Sequence, residues 1–474
     1  MASSLAVLAV LSVRGRFSDP DMWWHLKSGE IIWKTHAIPT VDLFSFTAFH
    51  HALVPQEWLS QLLIYGAYRL DGYSGLMLWL CCFTTALLLA GYALCSLYSG
   101  NAKIGLLGAI VLWFFSTVGL SIRPQLIGYF LLVLELLVLH LGKTRDPRWL
   151  LCLPPLFLLW VNCHGSFFLG LLVLGVVLAC SFFNFQAGAL VCSRWEFRRR
   201  KMFVLALALS GAATFLNPAG WKQVLYPVDT MLRQPVNVNN VQEWLPLPVS
   251  DPRGAALLAI LLLVFVVLIV RRSEVLYLHE LALLALGTWL ALSHQRLAFV
   301  FGILAAPIVA RLLSDFWEGY DPGKDRPLPN LLFIAVMALA VFLGFPSRQV
   351  IAKQIDKENP VKAVEYIKAN HLSGNMLNAY GYGGYLIWTL PEHPVFIDGR
   401  ADLYEWAGVL TEYGQWAMLE SDPNLLLDKY HIGFCLLERT SPMAYVLPLM
   451  HNWKEVYSDK SSVIFVRTGG ASTN

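Results

Sequence analysis

The sequence predicts an α-helical polytopic membrane protein of about eleven transmembrane helices with a small extracytoplasmic α/β domain at its C-terminal end. Three observations predict it. The chain of 474 residues is 57% hydrophobic and only 14% charged, with a mean hydropathy of +0.55. Soluble domains run near 25% charged. The 17 Trp, 18 Tyr and 27 Phe are an aromatic excess of the kind that settles at membrane interfaces. Long apolar runs recur as far as residue 345, after which charge rises and the runs shorten.

A spanning helix needs about 20 apolar residues. The candidate spans are 5–13, 75–97, 104–120, 125–141, 149–161, 167–183, 202–215, 255–270, 276–292, 297–312 and 331–345. The first is short for a bilayer and lacks the basic flank of a signal peptide; a longer native N-terminus would complete it. Segment 57–70 (EWLSQLLIYGAYRL) reads as an interfacial helix, because the loop charges then alternate. Fourteen basic residues fall on one side, from Lys103 to Arg326, against 5 on the other: Arg123, Lys222, Arg233, Arg253 and Arg296. The positive-inside rule makes the richer side cytoplasmic. The N-terminus is then cytoplasmic and the C-terminus outside. A transmembrane domain, 1–345, carries outer loops at 14–56 and 217–253, and an extracytoplasmic domain occupies 346–474.

The tail reads as a helix at 360–370, short strands at 375–379 and 394–398, a helix at 403–419, a strand at 433–437 and a hairpin at 455–466. Helices alternating with short apolar strands suggest an α/β domain. A net charge of +3 with dispersed basic residues gives no case for nucleic acid. The 8 Cys form no CxxC or Cys/His metal spacing, and most read as small hydrophobes. P-loop, GxSxG and HExxH motifs are absent, as are the matched broken helices of an inverted-repeat transporter. The lack of any Asn-x-Ser/Thr site favours a bacterial origin.

The densest chemistry lies in SDPDMWWHLKSGE, residues 18–30. Asp19 and Asp21, spaced by two, can share a divalent cation such as Mg²⁺ or Mn²⁺. Either can also deprotonate an acceptor hydroxyl. His25 is a third ligand or a proton carrier. Trp23 and Trp24 suit stacking on a sugar ring. The competing reading is an aromatic belt beside a solvated turn. Asp42 (PTVDLFSFT) and Glu57 (QEWL) add acidic stations, though Glu57 also suits an anchor for the interfacial helix. Arg123 (SIRPQLIGY) can pair bidentately with phosphate or snorkel to headgroups. His164 (WVNCHGSFF) is ionisable at membrane depth, a functional position by default, or else a structural His bonded to a neighbouring helix. The 217–253 loop brings Glu243 in VQEWLP, and His294 with Arg296 forms another outer-edge pair. By loop charge these residues share the outer face. Asp398 and Arg400 (VFIDGRADLY) read as a structural pair closing a turn, and GYGGY (381–385) as a turn without a nucleotide.

DPDMWWHLKSGEII, PTVDLFSFT, QEWLSQLL, LPPLFLLWVNCHGSFFLG, FLNPAGW, VQEW and GGYLIW…VFIDGRADLY resemble a bacterial group of polytopic proteins related to the GT-C membrane glycosyltransferases. The resemblance covers nearly the whole chain. It implies a GT-C-like fold, a catalytic acid in the first outer loop and a polyprenyl-phosphate-linked sugar donor. That acid would be Asp19 or Asp21. The family pattern more often has two adjacent acids; here Pro20 separates them, which leaves the metal requirement open. Two functional readings follow. In the first, the chain is an inverting glycosyltransferase of the cell envelope, in the bacterial inner membrane. It moves a sugar from lipid phosphate to an extracytoplasmic glycan, lipid or protein acceptor. Asp21 would be base or metal ligand, with Asp19 assisting. Arg123 and His164 would hold the donor phosphate, with His25, Trp24, Glu57, Glu243 and Arg296 as further binding groups. Trp23, Trp24 and the 217–253 loop would line the sugar cleft, and the tail would cover or select the acceptor. In the second, it is a non-enzymatic membrane component, an export partner or a scaffold with a binding tail.

Overall fold

The computed structural model describes residues 1–17 and 19–468. Ser18, which opens the first-loop motif, and residues 469–474 of the tail lie outside the described residues. The chain forms two compact units. One comprises Met1–Arg16, Met77–Pro227 and Asn240–Phe345; the other comprises Phe17–Leu76, Val228–Asn239 and Pro346–Asn474. The first outer loop thus folds with the tail.

The first unit is mostly helical, with a small three-stranded sheet of Phe185–Ala187, Leu190–Cys192 and Leu276–Tyr277, so the expected 276–292 span opens on a strand. Among the described residues of the chain, six helices are long and apolar enough to cross a membrane: Trp58–Ser99, Ala102–Gly119, Gln125–Thr144, Pro252–Val270, Gln295–Leu312 and Pro327–Gly344. Shorter apolar helices are Ala2–Val13, Phe167–Cys180 and Leu278–Ser293. The chain is a multi-pass membrane protein. Two helices show how apolar sequence is used. Ala298–Leu312 buries every residue but Arg311 and packs on Ala102–Ser116 and Leu278–Ser293. Its Phe301 meets Phe115 edge-on at 5.1 Å. Arg311 is exempt because its guanidinium grips the buried Glu280 carboxylate at 2.6 and 2.7 Å. Pro327–Gly344 buries only Gly344. A helix apolar all round and left uncovered by its own chain presents that surface to lipid.

The helix Trp58–Ser99 leaves helical geometry at Asp71 and Gly72. Gly72 takes φ 55, a left-handed conformation that side chains disfavour. The break separates the 57–70 segment from the long apolar run that follows it.

The second unit is built on a four-stranded sheet in the order Asn375–Asn378, Ile432–Glu438, Ser462–Arg467, Trp453–Ser458. The first pair is parallel and the others antiparallel. Leu377, Phe396, Leu403, Trp416, Cys435 and Phe465 form its core. Several sequence expectations change here. The 403–419 helix is two helices, Ala401–Trp406 and Val409–Ala417, parted by Gly408 at φ 75. The 394–398 stretch is not a strand; only Val395 bridges, to Ser45. Its backbone is satisfied instead by the Asn378 side chain, which accepts from Phe396 N–H and donates to Ile397 C=O, both at 2.8 Å. GYGGY is a turn only in its first half: a 3-10 turn at Tyr380–Tyr382 runs into the helix Gly383–Thr389. The first outer loop contains the helix Met22–Thr35, which buries Met22, Trp23, Leu26 and Ile32. The helix Arg348–Glu358, capped by Ser347, was not anticipated.

The hairpin of the last two strands turns on Asp459. One carboxylate oxygen accepts from the backbone of Ser461 and Ser462 at 2.9 and 2.8 Å, and the other from the Tyr457 hydroxyl at 2.7 Å. Burial opposes the charge, but these donors bring the carboxyl down to about 2. A folded pKa below the unfolded one contributes stability that is complete above the ordinary carboxylate range and fades as pH falls through about 2. Asp459→Ala should therefore destabilise the tail domain by about 1–3 kcal/mol at neutral pH. Thermal unfolding of wild type and variant across pH checks this: the gap should narrow only in strong acid.

Candidate functional site

Two groups of side chains assemble, one in each unit. In the second unit, Asp21 is the residue from which the helix Met22–Thr35 starts. A helix N-terminus favours negative charge. Its carboxylate accepts from the Trp24 indole N–H at 3.2 Å, which the three-residue spacing brings to one helical face. The Asp21 backbone N–H donates to Asp19 at 3.0 Å, so the two acids occupy one turn. Trp24 lies over His25, ring centroids 3.6 Å apart. His25 is 3% exposed and directs Nδ1 to Glu57 at 3.7 Å and Gln61 at 3.4 Å. Asp19, Asp21, Trp24, His25 and Glu57 therefore come together as one connected group.

Trp23 corrects an expectation. It is fully buried, edge-on to Tyr385 at 5.0 Å and Tyr73 at 5.8 Å. It anchors its helix in the unit's core and offers no face to a sugar. The bulky apolar neighbour of each helical turn goes inward, and Trp24, one residue on, is the partly exposed ring.

Behind this helix sits a buried ionic network. Arg400 is 4% exposed. It grips Asp398 with Nε and Nη2 at 2.8 and 2.6 Å, and Asp42 with Nη1 at 2.6 Å. The Tyr404 hydroxyl donates to Asp398 at 2.6 Å, and the Ser45 hydroxyl and backbone donate to Asp42 at 2.7 and 3.0 Å. Burial alone would disfavour the charged guanidinium, but the two carboxylates raise its pKa well above the ordinary value. The expected Asp398–Arg400 pair is thus a three-charge clamp joining tail to first loop. The guanidinium also lies 6.0 Å from the Trp24 ring centre. Two glycines let the backbones close. A Cβ on Gly399 would strike the Asp21 carboxylate, and one on Gly384 would strike the Pro20 carbonyl. The sequence hinted at these positions only through the short spacing of IDGRADLY and GYGGY.

The first unit holds the second group. Glu243, on the 3-10 turn Gln242–Trp244, faces Arg296 at 3.1 Å and Arg123 at 3.6 Å. Burial pushes its carboxyl up, yet the two guanidiniums bring it below the usual range. Arg296 stacks on Trp244 at 4.2 Å, and His294 Nδ1–H donates to the Trp244 carbonyl at 2.5 Å. His164, at the turn between Leu153–Cys163 and Phe167–Cys180, has its pKa lowered to about 3 by burial and by Arg296. Ser166 N–H donates to His164 Nδ1 at 3.1 Å, which leaves the proton on Nε2. At neutral pH this histidine is an uncharged donor. Arg123, Glu243, Arg296 and His164 are therefore electrostatic neighbours.

Among the described residues no group of three or more His, Cys, Asp or Glu side chains is gathered around a metal-sized space. Asp19 and Asp21 offer two carboxylates, the number that Mg²⁺ often takes from a protein when phosphates and waters complete its shell. They suit such a shared cation and do not form a closed cage.

No family model matches the chain, and no curated protein matches it. Solved structures do. The oligosaccharyltransferase AglB of the archaeon Archaeoglobus fulgidus, in complex with an inhibitory peptide and a dolichol-phosphate, aligns at 12% identity, TM-score 0.56, over 100% of this chain and 75% of its own. The Archaeoglobus fulgidus oligosaccharyltransferase with Zn and sulfate aligns at 13% identity, TM-score 0.50, over 99% and 73%. ArnT from Cupriavidus metallidurans, bound to undecaprenyl phosphate, aligns at 12% identity, TM-score 0.51, over 99% and 98%. The chain shares the fold of these solved structures.

Arg400→Met should leave two carboxylates buried without their cation and cost about 3–5 kcal/mol. Limited proteolysis and thermal unfolding of the purified chain check this; a variant as stable as wild type would show the clamp to be dispensable.

Proposed function

We propose that the chain is an inverting membrane glycosyltransferase that moves a sugar from a polyprenyl-phosphate-linked donor to an extracytoplasmic acceptor. The observation that carries this reading is Asp21: a carboxylate at a helix N-terminus, fixed by Trp24 and packed against Gly399, in a GT-C fold. The relatives in fold include structures holding dolichol-phosphate and undecaprenyl phosphate, which supports a lipid-linked donor here. The acidic group takes the extracytoplasmic face, with the N-terminus cytoplasmic and the membrane a bacterial inner membrane, as the loop charges suggest.

In this mechanism the acceptor nucleophile attacks the anomeric carbon while its proton passes to Asp21. The bond from that carbon to the phosphate oxygen breaks, inverting the centre, and polyprenyl phosphate leaves. Asp19 fixes the backbone at Asp21 through its hydrogen bond. His25 and Glu57 hold Trp24 from behind, so they are positioning residues and Trp24 is the sugar-facing ring. Within the first unit, Arg123 and Arg296 form the group suited to a donor phosphate. Glu243 lies against both guanidiniums and is the anion a phosphate would replace. His164 donates from Nε2 as a neutral group. A divalent cation resting on Asp19 and Asp21 would add charge stabilisation to the leaving phosphate.

Asp21→Asn is isosteric and keeps an acceptor oxygen for Trp24, so the chain should fold normally. Transfer of radiolabelled sugar from undecaprenyl-phosphate donor in proteoliposomes should fall about 10²–10⁴-fold; unchanged transfer would sink the role of Asp21. Arg296→Gln should raise the donor KM roughly tenfold with less effect on kcat, since a charge-assisted phosphate contact contributes about 1.5–3 kcal/mol. If the wild-type chain transfers no sugar, and Asp21→Asn leaves its cellular role intact, the non-enzymatic reading holds instead.

A further inference from the structure

The tail domain holds a cavity that adjoins the acidic group through Tyr380, whose hydroxyl donates to the Gly399 carbonyl at 3.3 Å. This cavity of about 330 Å³ opens beside the sheet, lined by Tyr380, Tyr413, Trp416, Leu437, Glu438 and Ser441 among others. That volume is at the lower end for small-ligand sites. Its position follows from topology. Tyr380 comes just after the strand Asn375–Asn378, and Glu438 ends the strand Ile432–Glu438. These strands are parallel, and ligands of open α/β sheets bind outside the carboxyl ends of parallel strands.

The lining chemistry is one-sided. Tyr380 and Tyr413 are the partly exposed rings of this wall, and Trp416 is buried in the core behind Tyr413, ring centres 6.2 Å apart. The Glu438 carboxylate is exposed and makes no ion pair or side-chain hydrogen bond among the described residues. The Ser441 hydroxyl already donates to the Glu438 carbonyl at 2.8 Å. Trp416 Nε1 is buried without a hydrogen-bond partner. A neutral sugar needs several amide or acid groups for its hydroxyls, and this wall offers one carboxylate. Aromatic rings beside one unpaired carboxylate are suited to a cation, which gains from both ring quadrupole and charge. We propose that this cavity binds a small ammonium group. The inference does not depend on the glycosyltransferase reading.

The test uses the full chain purified in detergent, titrated with choline chloride and followed by calorimetry. Saturable binding is expected. Glu438→Gln should weaken it about tenfold or more while leaving the unfolding temperature unchanged, because Glu438 is exposed and makes no ion pair or side-chain hydrogen bond among the described residues. Ala417→Phe, which fills the cavity wall, should abolish it. Repeating the titration in phosphatidylcholine and phosphatidylglycerol nanodiscs separates two sources of the group. Competition only in phosphatidylcholine assigns a lipid headgroup, and equal binding in both assigns a soluble amine. No saturation with choline, equal binding by Glu438→Gln, or equal affinity for methyl glucoside would overturn the proposal.

Discussion

Arg400, enclosed by Asp42 and Asp398, is the constraint on which the candidate site depends. One guanidinium holds two buried carboxylates at 2.6 Å. One carboxylate comes from the first loop and one from the tail, more than 350 positions on in sequence. A buried charge is costly unless paired and hydrogen-bonded. Here the Arg side chain, Tyr404, Ser45 and backbone N–H groups satisfy the carboxylates together. Each partner is thus tolerable only while the others are in place. That mutual dependence makes the loop and the tail a single folding unit, and the Met22–Thr35 helix is held in it.

From that clamp the acidic group follows by short steps. The Arg400 guanidinium lies near Trp24, Trp24 donates to Asp21, and Gly399 leaves room for the Asp21 carboxylate. On the other side Trp23 is locked between two tyrosines. The carboxylate is therefore presented by a helix that is fixed on both faces. Such fixation supports the base role proposed for Asp21, because proton transfer falls off steeply with misplacement. In the other unit the Glu243 carboxylate pairs with both the Arg123 and Arg296 guanidiniums.

Much of the fold was legible in the sequence. The apolar stretches are helices because nothing but intrahelical bonding satisfies a backbone in hydrocarbon. The acidic loop was legible as chemistry because charge is scarce elsewhere in the chain. Other features were not. The helix Met22–Thr35 was hidden because its buried stripe is Met, Trp, Leu and Ile interrupted by His, Lys, Ser and Gly. GYGGY has the composition of a turn, but Gly383 and Gly384 open a helix where backbones approach closely, and that is invisible without the partner. The 394–398 stretch had strand composition but found the Asn378 side chain in place of a neighbouring strand.

The sequence by itself determined the membrane class, the helical stretches, the presence of a small mixed domain and the residue types available for chemistry. These depend on local composition and periodicity, which the chain carries wherever it goes. Only the tertiary structure decided which tryptophan is buried and which faces outward. It alone made Asp42 a partner of Arg400 rather than a site acid, and showed that His164 is a neutral donor. Those outcomes depend on charges and surfaces distant in sequence being brought within a few ångströms, where desolvation and pairing set what each group can do.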